Sequence, residues 1–102
     1  MVKTYTALLF RDPADPEVWL GAVPAVRGVH SFGDTREHAL EMTTEALEGM
    51  LELLFEIGER IPNDETDLEP AKTEWRELIG QSDVQFETAK ITVRAEVMHV
   101  AA

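Results

Sequence analysis

The sequence predicts an α+β fold: an antiparallel meander of three strands, one long helix, a minor second helix and a final strand. Apolar and polar residues alternate near both ends of the chain, which is typical of strands with one buried face. Between them, apolar residues recur at three- and four-residue steps, which is typical of an amphipathic helix. The 102 residues show no internal repeat or change in composition, so we expect one domain over residues 1–102.

The first third of the chain predicts the three strands of the meander. Residues 3–11 are rich in threonine, leucine and aromatic residues, which favour strands, and they stop at a turn that contains two prolines. Residues 17–23 alternate until Pro24, which has no backbone N–H to donate to a neighbouring strand. A third short strand, at about residues 28–32, lies between two glycines.

The long helix is predicted over residues 36–57. Asp34 and Thr35 are both candidate N-caps, and Asp34 with Glu37 has the spacing of a capping box. Gly58 fits the position just after a helix end. The residues expected to face the sheet are apolar except for one threonine: Ala39, Leu40, Thr43, Ala46, Leu47, Met50, Leu51, Leu54 and Ile57.

The last third predicts a loop, a short helix and a strand. Residues 59–69 are mostly polar, and Pro70 suits the first position of a second helix that ends at Ile79. Residues 86–98 alternate and predict a long strand with one polar face. Because the long helix would act as a right-handed crossover, we expect the last strand to be a parallel strand of the sheet, in the order 3-2-1-4.

The composition favours a protein that binds other proteins. The net charge is −11 and the pI about 4.5, and the nine scattered Lys and Arg residues offer no cluster that would neutralise nucleic-acid phosphates or bind an anionic membrane. An acidic surface favours a basic protein partner, although solubility alone also explains it. The N-terminus has no signal-peptide core, and no apolar run reaches the roughly 18 residues of a membrane span. We therefore expect a cytoplasmic location.

The residue types that catalysis or cofactor binding requires are absent or badly spaced. Cysteine is absent, which excludes disulfides and thiolate chemistry. The histidines His30, His38 and His99 form no metal-binding motif, and Ser31 points to the opposite strand face from its neighbour His30. The six glycines form no nucleotide-binding loop. The sequence therefore predicts no enzyme activity, no metal and no cofactor.

The most unusual feature is a run of glutamates on the polar face of the long helix. They recur every three or four residues, at Glu37, Glu41, Glu45, Glu48, Glu52, Glu56 and Glu59. Like charges at this spacing destabilise an isolated helix by roughly 0.2–0.5 kcal/mol per pair. We interpret the central four, from Glu41 to Glu52, as partner-binding residues that face a basic protein. The alternative is a solvated face whose charge is screened by salt.

Three further residues are candidates for partner contact: Trp19, Lys90 and Arg94. Trp19 lies on the strand face opposite Leu20, and tryptophan is enriched at binding hot spots. Like Trp75, it is either an interface anchor or a core residue. Lys90 and Arg94 lie on the polar face of the last strand. This strand is a sheet edge, which either pairs with another chain or is guarded by its charges.

A series of short motifs resembles a known family. It consists of Tyr5-Thr6-Ala7-Leu8-Leu9, Pro24-x-Val26-x-Gly28, Gly33-Asp34-Thr35, Ala39-Leu40, Glu45-Ala46-Leu47 and Gly58-Glu59-x-Ile61-Pro62. Together these motifs resemble the HicB-like antitoxins, and the Gly-Asp-Thr element before an amphipathic helix is the most specific of them.

The resemblance implies a truncated ribonuclease-H-like fold in a homodimer or larger homo-oligomer. It also implies a function, which is to bind and neutralise a HicA-like ribonuclease toxin or another small basic protein. Relative to the family, residues 63–82 form an insertion, and only four residues follow Met98. We therefore expect no C-terminal DNA-binding module and no direct contact with nucleic acid.

Two other functions stay open at this point. One is a stand-alone, self-associating regulatory or structural domain that has no toxin. The other is a degenerate metal-dependent nuclease, which would need several carboxylates that converge on two metal ions. Residues 4–10 of the predicted first strand contain no Asp or Glu, which argues against the nuclease.

Overall fold

The computed structural model describes residues 2–94. The elements follow one another in the order β1 (Val2–Asp12), β2 (Asp15–Ala22), β3 (His30–Gly33), α1 (Arg36–Glu56), α2 (Glu69–Ile79) and β4 (Glu87–Arg94). This order matches the predicted one. Residues 95–98 of the predicted last strand lie outside the described residues.

The four strands form one sheet in the order β3-β2-β1-β4, as predicted, but the predicted parallel strand is wrong. β4 pairs antiparallel with β1, so that Glu87 lies opposite Leu9 and Arg94 lies opposite Val2. The reason is the path between α1 and β4. That path contacts Lys3 near the start of β1 and later Phe10 near its end, so it runs back along the sheet before β4 begins.

α1 and one face of the sheet form the hydrophobic core. The core cluster consists of Tyr5, Ala7, Val23, Val26, Val29, Leu47, Leu51, Ile91 and Val93. Thr43 is fully buried in the predicted helix face, and Leu40, Ala46, Met50 and Leu54 pack against the cluster. Ile57 was predicted on this face, but it is 60% exposed because the helix has already ended at Glu56.

Local hydrogen bonds and backbone geometry explain where α1 begins and where it ends. The hydroxyl of Thr35 accepts a hydrogen bond from the His38 backbone N–H at 3.0 Å, so Thr35 is the N-cap. The other candidate, Asp34, instead donates its backbone N–H to Nδ1 of His38 at 3.1 Å. At the other end Gly58 has a φ of +75°, as predicted for the residue that ends a helix.

α2 lies over the opposite face of the sheet. The ring of Trp75 is 5.3 Å from that of Phe10 and 5.9 Å from that of His30, between ring centroids. Phe86 adds an edge-on contact with Phe10 at 4.9 Å. The second helix that the sequence predicted is therefore a layer of the fold, held to the sheet mainly by aromatic contacts.

Residues 62–64, which we call the strap, connect the two faces. β2 pairs with β1 only from Leu8 onward, and the strap occupies the free edge of β1 before that point. The Tyr5 hydroxyl donates to the Pro62 carbonyl at 2.5 Å. The backbone N–H and the hydroxyl of Thr6 donate to the two carboxylate oxygens of Asp64 at 2.8 and 2.7 Å. The strap thus supplies hydrogen-bond acceptors that β2 does not provide there.

Replacing Tyr5 with phenylalanine should change how stability depends on alkaline pH. Burial, together with the negative charge of Asp64, raises the pKa of Tyr5 above its ordinary value of 10.0. The folded protein therefore keeps the phenolic proton where the unfolded chain releases it, so the free energy of unfolding falls as the pH rises above about 10. We expect the Y5F variant to lose about 1 kcal/mol at about pH 8, from the missing hydrogen bond.

This deficit should shrink at about pH 11, because the variant has no phenol to deprotonate. Urea titrations of both proteins at the two pH values measure it. Lysines that lose their charge near this pH affect both proteins alike, so the difference between them isolates Tyr5. A deficit that stays constant across the two pH values would contradict the assignment.

Candidate partner-binding surface

The glutamates of α1 form one continuous row on the side that faces away from the sheet. The buried residues of α1 recur at four-residue steps, and the glutamates lie between them at positions that project to the opposite side. We call this row the acidic stripe, and within α1 it consists of Glu37, Glu41, Glu45, Glu48, Glu52 and Glu56. Glu41 and Glu45 are exposed, and Glu48 and Glu52 are half-buried.

The negative charge of the acidic stripe is not neutralised within the described part of the chain. No Lys or Arg of residues 2–94 lies within salt-bridge distance of its carboxylates. Arg36, at the start of α1, pairs instead with Glu87 at 2.7 Å, and the last turn of α1 contains no basic residue. From Glu41 to Glu52 the stripe extends over about 16 Å, at 1.5 Å per helical residue. This arrangement attracts a positively charged surface of similar length.

Trp19 lies beside the first turn of α1. It is half-buried, and the guanidinium of Arg11 stacks over its ring at 5.1 Å. Trp19 lines an open depression of about 780 Å³ together with Thr35 and Glu37. The structure therefore brings Trp19 close to the N-terminal end of the acidic stripe.

Lys90 and Arg94 lie away from the acidic stripe. They are on the edge strand β4, with Lys90 opposite Thr6, and the alternation of side chains puts both on the face of the sheet that α1 does not cover. Lys90 donates to the Thr6 hydroxyl at 2.6 Å and lies 3.7 Å from the Asp64 carboxylate. The structure thus separates these two residues from the acidic stripe, and it gives Lys90 an internal partner.

Sequence reasoning missed the role of Asp64. Asp64 lies in a polar stretch where nothing in the local pattern distinguishes it from its acidic neighbours, although its carboxylate binds Thr6 on a distant strand. The sequence allows Trp75 either an interface role or a core role. It packs on Phe10 while remaining half-buried.

The described residues include no cluster of side chains that could hold a metal ion. Within residues 2–94, no three His, Asp or Glu side chains are grouped closely enough to hold a metal ion. No helix in that range is both long and apolar enough to cross a membrane.

Comparisons with known proteins identify relatives of the chain. Residues 5–101 match the sequence model of the HicB-like antitoxin of bacterial toxin–antitoxin systems. The crystal structure of the antitoxin HicB of Burkholderia pseudomallei is 28% identical, with a TM-score of 0.66. That alignment covers 91% of this chain and 63% of the Burkholderia chain. No curated protein matches the chain.

Two further solved structures are similar. The N-terminal domain of the same Burkholderia antitoxin is 27% identical, with a TM-score of 0.59, and the match covers 86% of this chain and 96% of that domain. A chain of a toxin–antitoxin complex from Streptococcus pneumoniae is 19% identical, with a TM-score of 0.71. The match covers 94% of this chain and 71% of the Streptococcus chain. At that identity the Streptococcus structure shows a shared fold.

Proposed function

This chain belongs to the family of HicB-like antitoxins of bacterial toxin–antitoxin systems, and from that premise we propose that it sequesters a small basic ribonuclease toxin of the HicA type. Binding is by protein–protein contact, with no catalytic step by this chain. The observation that carries the proposal is the acidic stripe, a row of unneutralised carboxylates along a helix whose other side is anchored in the core.

The stripe suits a ribonuclease because of what such an enzyme must bind. A protein that holds RNA needs Lys and Arg side chains at the positions of the phosphates. A rigid row of glutamates is negatively charged, as the phosphates are, and competes with RNA for those Lys and Arg side chains. The long-range attraction between the two charged surfaces also speeds association. Trp19, at one end of the stripe, supplies a partly buried aromatic anchor of the kind that dominates binding energies.

Other parts of the proposal concern assembly and ancestry. We treat residues 1–102 as one domain that forms a homodimer or larger assembly. The outer edge of β3, which pairs with no other strand among residues 2–94, supports self-association. The strand order β3-β2-β1-β4 supports a ribonuclease-H-like origin, although the direction of β4 differs from the expected one. Lys90 and Arg94 would form a separate contact area at the β4 edge.

Neutralising the middle of the acidic stripe should weaken toxin binding by about 10- to 100-fold at low salt. The variant replaces Glu45, Glu48 and Glu52 with glutamine, which keeps the size of the side chains and removes their charge. Because it also removes like-charge repulsion along α1, the fold should be as stable as the wild type or slightly more stable. Calorimetric titration of each antitoxin with the purified product of the adjacent reading frame measures the Kd.

The matched control removes three negative charges from elsewhere on the surface, at Glu69, Glu77 and Asp83. It gives the same net charge as the stripe variant, so a general effect of charge would weaken both equally. We expect the control to bind within about threefold of the wild type. Equal weakening of the two variants, or an unchanged Kd for the stripe variant, would contradict a contact at α1.

A further inference from the structure

An open groove lies between α2 and the loop that joins β2 to β3. A cleft of about 420 Å³ is lined by Val23, Val26 and Val29 of that loop and by Trp75 and Leu78 of α2. A second cleft of about 310 Å³ shares Pro24, Ala71 and Glu74 with the first. The two clefts therefore form one groove that follows α2 along most of its length.

The apolar side of α2 is only partly covered. Ala71, Trp75 and Leu78 recur at steps of four and three residues, so they lie on one side of the helix. Trp75 packs on Phe10, but Leu78 is 71% exposed at the lip of the groove. A leucine in this position leaves apolar surface in water that a bound side chain would cover.

The rim of the groove has a strong charge bias. Three carboxylates line it, from Glu65, Asp67 and Glu74. Among the described residues that line the two clefts, Arg27 is the one Lys or Arg side chain. None of the three carboxylates forms a salt bridge with a Lys or Arg of residues 2–94. A ligand with positive charges is therefore favoured at this end of the groove.

We propose that this groove is a second docking site, which binds an extended basic and apolar segment of a protein partner. An aliphatic side chain of the segment enters between Trp75 and Leu78, and Lys or Arg side chains next to it reach the carboxylates on the rim. The site is separate from the acidic stripe, since none of the stripe residues lines the groove. It therefore does not depend on the function proposed for that stripe.

The test uses Trp75 as its own reporter. The chain has two tryptophans, so a Trp19→Phe background leaves the emission of Trp75 alone. The full chain is titrated, near physiological salt, with a short capped peptide of alternating lysine and leucine. A second peptide has glutamate in place of lysine. We expect the lysine peptide to produce a saturable shift of Trp75 emission and the glutamate peptide to produce none.

Two pairs of variants separate the groove from general charge attraction. Leu78→Ser should weaken binding at least about tenfold, whereas Leu53→Ser, at an exposed leucine of α1, should not change it. Glu74→Lys should weaken binding about fivefold, whereas Glu77→Lys, on the same helix but outside the groove, should have less than half that effect. The Gln variant of the acidic stripe should bind the peptide as the wild type does.

Several outcomes would overturn this proposal. They are the absence of a saturable shift, equal binding of the two peptides, or equal effects of the lysine substitutions at Glu74 and Glu77. If Trp75 emission instead varies with protein concentration without peptide, and Leu78→Ser abolishes that dependence, the groove is occupied by a second copy of the chain. A loss of toxin binding in the stripe variant together with an unchanged peptide shift would separate the two sites.

Discussion

The Gly33→Ala variant should lose about 2–4 kcal/mol of unfolding free energy, which is large for a single methyl group. A Cβ atom at Gly33 would lie 2.5 Å from the backbone nitrogen of Ala39 and 2.7 Å from the backbone carbon of His38. Both are atoms of the first turn of α1, so the contact cannot be relieved by rotating a side chain. Either the helix must move away from β3 or its N-terminal turn must unwind.

A control at Gly49 separates this effect from the general consequence of replacing glycine. Gly49 lies within α1, and a Cβ atom there would meet nothing within 4 Å. Because alanine favours helices over glycine, Gly49→Ala should gain about 0.5–1 kcal/mol. Chemical denaturation of the three proteins gives both values. If Gly33→Ala were as stable as the wild type, the claim that the backbone of α1 lies against Gly33 of β3 would be wrong.

The Phe10→Ala variant should lose about 3–5 kcal/mol, the usual cost of removing a buried aromatic ring. Phe10 is fully buried and contacts the rings of both Trp75 and Phe86. The substitution therefore removes the main contact by which α2 is held on the sheet. We expect a red shift of Trp75 emission in a Trp19→Phe background, since Trp75 becomes exposed to water when α2 loosens.

The matched control for this prediction is Phe32→Ala. Phe32 is also a strand phenylalanine, but it is 66% exposed, so its removal should cost less than about 1 kcal/mol. Thermal and urea unfolding, combined with the emission spectrum, measure both variants. A Phe10→Ala protein that keeps the wild-type Trp75 spectrum would contradict the packing of α2 against β1.

The sequence predicted the elements and their neighbours well but failed on the direction of β4. Periodicity and caps are local properties, so the long helix, the glycine just after its end and the short helix with Pro70 in its first turn could be predicted from the sequence. The alternation of a strand is the same in both directions. The direction of β4 depends on how the preceding segment crosses the sheet, and that is fixed by contacts such as Thr6 with Asp64.

The motifs that carried the family resemblance prove to be mainly structural. Thr35 caps α1, Gly33 allows α1 to approach β3, and Tyr5 at one end of the series bonds to Pro62 at the other. This explains why the resemblance gave the family and the fold more firmly than the partner. Of the acidic stripe within α1, only Glu45 belongs to the motif series, so most of the residues proposed to recognise a partner lie outside the motifs.

The candidate site was predicted only in part. Helical spacing alone placed the glutamates from Glu41 to Glu52 in one row, because the period of an α-helix is fixed. Helical spacing could not predict that Lys90 and Arg94 lie far from the acidic stripe. Which face of the sheet these two residues occupy depends on how β4 pairs with β1. The groove beside α2 could not be predicted, because it depends on where α2 rests relative to the β2–β3 loop.

The most direct test of the antitoxin function is a growth assay with the product of the adjacent reading frame. That product is expressed alone, with the wild-type chain, with the Glu45, Glu48 and Glu52 glutamine variant, or with the charge-matched control. We expect growth arrest in the first case, rescue by the wild type and the control, and poor rescue by the stripe variant at equal protein levels. If the neighbour is not toxic, or if the stripe variant rescues growth as fully as the wild type, the proposal that the acidic stripe neutralises a toxin is wrong.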